Sequence, residues 1–391
     1  DAPRAVRLST TTCPPLRTRV RALTAARIIA YPVRAAVCHR FEQPLTVEDV
    51  MLSEPDDGEL TVRVHACGVC HSDVTYMDGL WGGELPAVYG HEVAGVVTAA
   101  GPGVQSPTIG DHVVVSLVRE CGTCFHCRRG EPTQCEGTFS IDSRGALRSA
   151  GGKRLVQGLR VGGFAESVTV HASQAVPIPD TIALESACLL GCAVATGFGA
   201  VRNTARVEPG ASVAIVGVGG VGINSVQAAR IAGATRVIAL DVSDARLGAA
   251  RDLGATDAVR ADGATAVDAV RSLTAGRGAD FTIIASGKRA AIELGLRLPR
   301  RGGTVVMVGM TANGETVAIN PGDIADSALR ILGCKLGAVR PRTDVPALIE
   351  LYRSGELKLD ELVTARFPLE SVNDAVAAAR RGDGMRTVVT M

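Results

Sequence analysis

The sequence predicts an α/β plus β chain, in which a compact β-barrel domain precedes a doubly wound parallel sheet. Three observations predict it. Short β-rich runs bounded by Gly, Pro and Asp fill the stretch from about residue 33 to 179. Near Val207 the texture switches to apolar strands alternating with segments of helical spacing, as a parallel sheet requires. From about Asp344 a helix, a β-like "VTARFPL", a second helix and the strand "RTVVTM" return to the first domain.

Taken in order, residues 1–34 hold seven arginines and Asp1 as their one acid. An Arg-rich, acid-poor leader fits an organelle transit peptide. The segment shows no clear amphipathic period, so it is read instead as a disordered or non-domain extension and the chain as cytoplasmic. Residues 35–206 form the first domain, with "AAVCH", "LTVRVHACG", "EVAGVVTAAG" and "DHVVVSLV" as strands. Residues 141–163 are polar and glycine-rich and read as a long loop. Residues 207–343 form the second domain, and residues 344–391 the return. Its strands are "ASVAIVG", "RVIALD" and runs at 280–286, 303–308 and 329–336, with helices between them.

Composition excludes several function classes. Lysine and arginine number 41 against 40 acids, so no electrostatic case exists for a nucleic-acid partner. Aromatic residues are 3%, too few for base-stacking platforms. No run of 18 or more apolar residues occurs, so no membrane span is expected. An odd count of 11 cysteines in so long a chain argues against a disulfide framework and for metal.

Four of those cysteines, Cys121, Cys124, Cys127 and Cys135, are spaced C-x2-C-x2-C-x7-C inside a lobe at 119–136. Four thiolates satisfy a tetrahedral zinc ion and close it to substrate, which makes the site structural. An iron–sulfur cluster takes the same four ligands. Zinc is preferred because of what surrounds the lobe.

The string "GVGGVG" (Gly217, Val218, Gly219, Gly220, Val221, Gly222) is weak evidence alone. Its setting strengthens it, because it ends an apolar strand, opens a helix and precedes "VIALD". Gly217 permits the tight turn, Gly219 lets a pyrophosphate approach the backbone, and Gly222 allows close helix–strand packing. Asp241, nineteen residues after Gly222, can hold ribose hydroxyls and repel a 2′-phosphate, which favours NAD over NADP. Asp241 could instead cap the next helix, a role that suits Ser243 or Asp244 better. Arg246 could tolerate a phosphate.

Cys70 in "GVCHSD", His91 and Glu92 in "GHE", and Cys192 in "LLGCAVATGFGA" are metal-ligand types. One His and two Cys suit a zinc ion with an open fourth position, as Lewis-acid catalysis needs. Spacing alone cannot join ligands so far apart. Singly, His91 reads as a hydrogen-bonded histidine and Cys192 as a buried thiol.

Together "GVCHSD", "GHEVAGVV", "CGTCFHC" and "LLGCAVATGFGA" resemble, in order and over about residues 35–391, the zinc-containing medium-chain dehydrogenases. The resemblance is greatest to the alcohol dehydrogenase branch that includes class III enzymes. It implies a GroES-like β-barrel catalytic domain, a Rossmann coenzyme domain, two zinc ions per subunit, NAD, and a homodimer or homotetramer. It implies that Cys70, His91 and Cys192 bind the catalytic zinc, with Glu92 behind the metal and Asp73 orienting His91. It places Ser72 beside the substrate hydroxyl as proton carrier, His71 and Arg386 at the pyrophosphate, and Thr196 against the nicotinamide. A basic residue at Arg246 is common in NAD-using members. Many relatives end the proton relay with a histidine where this sequence has Thr75, which leaves cofactor ribose and water as the exit.

The activity implied is oxidation of a primary or secondary alcohol to an aldehyde or ketone. The alternative is an S-(hydroxymethyl)glutathione or related thiol-adduct formaldehyde dehydrogenase. A zinc hydrolase would leave the dinucleotide turn unused, and the deaminase H-x-E plus P-C-x-x-C pattern is absent. A non-catalytic zinc-binding relative would be free to lose one of the ligands. Loops at 74–85, 137–163 and 310–320 are expected to wall the substrate pocket.

Overall fold

A computed structural model describes residues 30–391. Most of the extension expected at 1–34 lies outside the described residues. The first domain contains β1 (Ala30–Cys38), β2 (Thr46–Ser53), β3 (Glu59–Gly68), β4 (Ala87–Val88), β5 (Glu92–Ala100), β6 (His112–Val115), β7 (Leu147–Ser149), β8 (Arg154–Gln157), β9 (Ser167–His171) and β10 (Ala175–Pro177). β1 starts ahead of the expected boundary at 35, because Ala30 to Val37 pair antiparallel with β2.

Strands β1, β2, β7, β8 and β4 close into a barrel, while β10, β6, β5 and β3 form a sheet on which β9 also pairs with β3. The stretch read as a loop at 141–163 instead carries a short helix, Ser140–Arg144, and the β7–β8 hairpin. Leu147 and Leu155 face each other across that hairpin and are buried, while Arg154 is exposed. One inward leucine per strand is too short a pattern to signal β structure.

The second domain is a parallel sheet of β11 (Ser212–Val216), β12 (Arg236–Asp241), β13 (Asp257–Arg260), β14 (Ala279–Ile284), β15 (Pro299–Met307) and β16 (Arg330–Gly333). Their order is β13–β12–β11–β14–β15–β16, with helices between strands. The order reverses between β11 and β14, and ligands of such sheets bind outside the strand ends at that point. β13 escaped the sequence reading because its four residues are polar at both ends.

At the C-terminus β17 (Val363–Pro368) runs parallel to β18 (Arg386–Thr390), and β18 pairs antiparallel with β3. The last residues therefore complete the first-domain sheet. One apolar core joins both domains, from Leu189, Leu190 and Val194 to Ile215, Ile223 and Val306. Burial of this shared core fixes the crevice between the domains. Among the described residues no single helix is long and apolar enough to cross a membrane.

Candidate active site

Cys70 is the N-cap of the helix His71–Met77, just after β3. His91 precedes β5, and Glu92 opens it. Cys192 caps the helix Ala193–Gly199. Folding brings the ligand atoms of Cys70, His91, Glu92 and Cys192 within 4.8 Å of one another, all buried. Asp73, one turn into the first helix, accepts from His91 Nδ1 at 2.9 Å, from the Gly90 N–H at 2.9 Å and from the Cys70 N–H at 3.2 Å. The carboxylate thus fixes the imidazole and both flanking backbones.

His91 Nε2 is buried without a hydrogen-bond partner. A buried polar atom left orphaned costs about 1–3 kcal/mol unless a partner occupies the space it faces. With two sulfurs and a carboxylate beside it, that nitrogen fits a zinc ion. Burial alone would lower the His91 pKa, but the Asp73 carboxylate outweighs it and holds the imidazole well above its usual range. A hydrogen bond with Cys192 is the largest cause of the depressed Cys70 pKa, and the Cys192 thiol is raised in turn. Burial pushes the Glu92 carboxyl up to about 7 against the pull of Arg386.

The four lobe cysteines also converge within 4.8 Å. Sγ atoms of Cys121 and Cys127, and of Cys124 and Cys135, are 4.0 Å apart. Backbone N–H groups of Cys124, Cys127 and Gly137 donate to Cys121, Cys124 and Cys135 sulfurs at 3.3, 3.4 and 3.3 Å. Such bonds favour thiolate, and the Cys121 thiol is held down at about 6. All four positions are taken by protein sulfur, so the lobe fits a closed site.

The glycine turn joins β11 to the helix Gly220–Ile231. Gly217 has φ +83°, the left-handed region that suits glycine. A Cβ on Gly222 would collide with the Gly217 carbonyl oxygen, whereas a Cβ on Gly219 would meet open space. That space lies at a helix N-terminus, where phosphate oxygens find N–H donors. Val221 is half-buried in the first turn of this helix. Asp241 ends β12, and its two oxygens accept from the Val218 N–H at 2.9 Å and the Ser243 N–H at 3.0 Å. Ser243, not Asp241, caps the next helix. Arg246 lies 3.9 Å from Asp241 and reaches the Gly382 carbonyl at 3.5 Å.

Arg386 shows a link that sequence reasoning missed. Its buried guanidinium donates to Glu92 Oε2 and lies directly under Gly220. The residue expected at the pyrophosphate therefore also touches the carboxylate of the cysteine–histidine cluster. The other expected site residues lie near this axis. Thr196 Oγ1 is 3.9 Å from Cys192 Sγ, His71 is exposed at the start of its helix, and Ser72 is half-buried beside it. The Thr75 hydroxyl donates to the His71 carbonyl at 2.7 Å.

Residues 56–180 match the model of the alcohol dehydrogenase GroES-like domain, and residues 220–354 that of the zinc-binding dehydrogenases. The chain is 37% identical over 366 residues to an NDMA-dependent alcohol dehydrogenase of Amycolatopsis methanolica, covering 91% of this chain and 98% of that one. It is 33% identical over 365 residues to an S-(hydroxymethyl)glutathione dehydrogenase of a Synechocystis species, covering 91% and 99%. The solved structure of an alcohol dehydrogenase zinc-binding domain protein from Burkholderia ambifaria superposes with a TM-score of 0.88 at 35% identity, covering 93% and 100%.

Proposed function

The chain belongs to the zinc-containing medium-chain alcohol dehydrogenases, and from that premise we propose that it oxidises a primary or secondary alcohol to an aldehyde or ketone with NAD as acceptor. The observation that carries this reading is the path from the cluster to the glycine turn through Glu92, Arg386 and Gly220. It sets a metal-ligand group and a nucleotide turn on either side of one buried ion pair.

In this reading Cys70, His91 and Cys192 hold a catalytic zinc, and the four lobe cysteines hold a second, structural one. When bound, the metal supplies Lewis-acid polarisation of the substrate oxygen and the nicotinamide accepts the hydride. Asp73 keeps Nε2 of His91 free for the metal by holding Nδ1. Ser72 Oγ would accept the hydroxyl proton of the substrate as it passes its own proton on to the cofactor ribose and water. Thr75 does not extend that relay, because its hydroxyl is spent on the His71 carbonyl. Asp241, through the oxygen edge left free by Ser243 and Val218, selects ribose hydroxyls over a 2′-phosphate. Thr196 flanks the nicotinamide, Arg246 and Arg386 supply positive charge along the cofactor, and His71, whose charged form is disfavoured by desolvation and by nearby cations, offers a neutral imidazole N–H at the pyrophosphate. The assembly is a homodimer or homotetramer.

A second reading, a thiol-adduct formaldehyde dehydrogenase, is favoured by the Synechocystis relative. One experiment separates the two. The absorbance of NADH is followed with zinc-loaded chain, primary and secondary alcohols, and formaldehyde with and without glutathione, and NDMA is run as a parallel acceptor because one relative depends on it. Alcohol-dependent signal supports the proposal, strict thiol dependence supports the second reading, and silence with every pair sinks both.

A further inference from the structure

The cysteine lobe has almost no core of its own. Across residues 121–137 only Pro132 and Thr133 are buried, and Phe125 is exposed. Four thiolates brought together at one point repel one another until a cation joins them. Their convergence therefore depends on how the two ends of the lobe are held. The chain enters the lobe after β6, through Ser116 to Glu120, and leaves it through Phe139 and the helix Ser140–Arg144.

Arg119 meets both ends. It stands two residues before Cys121, on the entering side, and its side chain is 2% exposed. Nη1 donates to Asp142 Oδ1 on the leaving side, 23 residues along the chain. The guanidinium also lies over the Phe139 ring, 5.5 Å from its centre, again on the leaving side. Nε donates to Gln174 Oε1 at 2.6 Å and Nη2 to the Arg160 carbonyl at 3.2 Å, which fix the planar fork to the barrel domain. Gln174 is itself fixed, since its Nε2 donates to the Ser116 and Arg160 carbonyls at 3.0 and 3.1 Å. The leaving helix is tied a second time, where Arg144 pairs with the buried Glu59 of β3. On the entering side Glu120 pairs with Arg342 at 3.5 Å.

We infer, on the zinc reading of the lobe above, that Arg119 is a positioning residue that closes the neck of the lobe, and that this closure keeps the four sulfurs convergent and their metal in place. With the neck shut, the loop from Arg119 to Asp142 has already lost its closure entropy, and a departing ion leaves a site ready to recapture it. With the neck open, loss of the first sulfur lets the ends separate, and the ion leaves with the structure of the lobe. Lysine cannot take this place, because one ammonium does not span the three acceptors that a planar guanidinium reaches.

Zinc release tests this in the full-length Cys192→Ser chain, where the ion counted is the lobe's. The zinc-loaded protein is mixed with a chromogenic chelator and the release of its ion is timed. Added to this parent, Arg119→Met is expected to speed release by about tenfold or more, and Arg119→Lys by an intermediate factor. Asp142→Asn cuts the same link at a carboxylate that is 53% exposed, so the fold does not depend on it, and should speed release by about threefold. Two controls should release at the parent rate. Asp326→Asn loses an exposed pair with Arg301 in the coenzyme domain, and Gly222→Ala weakens the fold of that domain. Release within about twofold of the parent in both Arg119→Met and Asp142→Asn overturns the inference. Release from Gly222→Ala as fast as from Arg119→Met overturns it too, by tracing the effect to general instability. If Arg119→Met does not fold, Asp142→Asn decides. A parent that holds no lobe zinc strikes the metal reading and the clamp together, whereas unchanged release from a loaded parent strikes the clamp alone.

Discussion

Thr75 isolates one question at the scale of a single residue: whether a hydroxyl beside the relay takes part in it. Its donor is committed to the His71 carbonyl inside a helix. Thr75→Val removes that bond, at a cost of about 1 kcal/mol or less, and is expected to leave kcat/KM within about twofold, since general acid–base groups contribute 10²–10⁴-fold. Steady-state kinetics across neutral pH check this, and a loss of about a hundredfold would put Thr75 in the relay. The residue types at the site were legible before the structure, and the resemblance supplied the Asp73–His91 pair, but the partner of Arg386 was not legible. Arg386 and Glu92 stand 294 residues apart, and no local pattern encodes a contact of that range. The bond from Trp81 to the Thr311 carbonyl carried no signal either, because its acceptor lies in the other domain.

Single elements show how far local rules reach. In the cysteine lobe the x2 spacings already aim successive sulfurs at one point, and the N–H···S bonds complete the aim. That site was readable from fifteen residues of chain. The cluster of Cys70, His91 and Cys192 depends on three separate elements, and only family resemblance joined them in advance. The β7–β8 hairpin was unreadable because its burial rests on two leucines. The glycine turn permits a sharper test. Gly219→Ala adds a Cβ that meets nothing in the folded chain, at a φ of −71° open to any residue. Its stability should change by less than about 1 kcal/mol, while NADH affinity falls by about tenfold or more as the methyl occupies the phosphate space. Gly222→Ala strikes the Gly217 carbonyl instead and should destabilise the fold itself by about 2 kcal/mol or more. Melting curves and NADH fluorescence titrations separate the two variants, and equal effects on both readouts would contradict the roles assigned.

The whole molecule is tied together where the last strand crosses the first domain. β18 pairs with β3 and delivers Arg386 to Glu92 under the second domain's first helix. Both groups are buried, so removing one strands the other: a lone Arg386 stays charged and unpaired, and a lone Glu92, already raised to about 7, is driven to its protonated form without a partner. Arg386→Met is expected to cost about 3–5 kcal/mol and to weaken cofactor binding together with stability. The double variant with Glu92→Met should recover most of the stability and none of the binding, as chemical denaturation and NADH titration can show. The two proposed zinc sites differ in role, one closed by four sulfurs and the other held by Cys70, His91 and Cys192 with a position for substrate. The most direct test is zinc content measured on the purified full chain beside Cys192→Ser and Cys124→Ser. Two zinc ions per chain are expected in the parent and one in each variant, with alcohol oxidation abolished in Cys192→Ser while its lobe stays loaded. A parent holding one zinc, or a Cys192→Ser variant that keeps both ions and full activity, would contradict the two-site assignment.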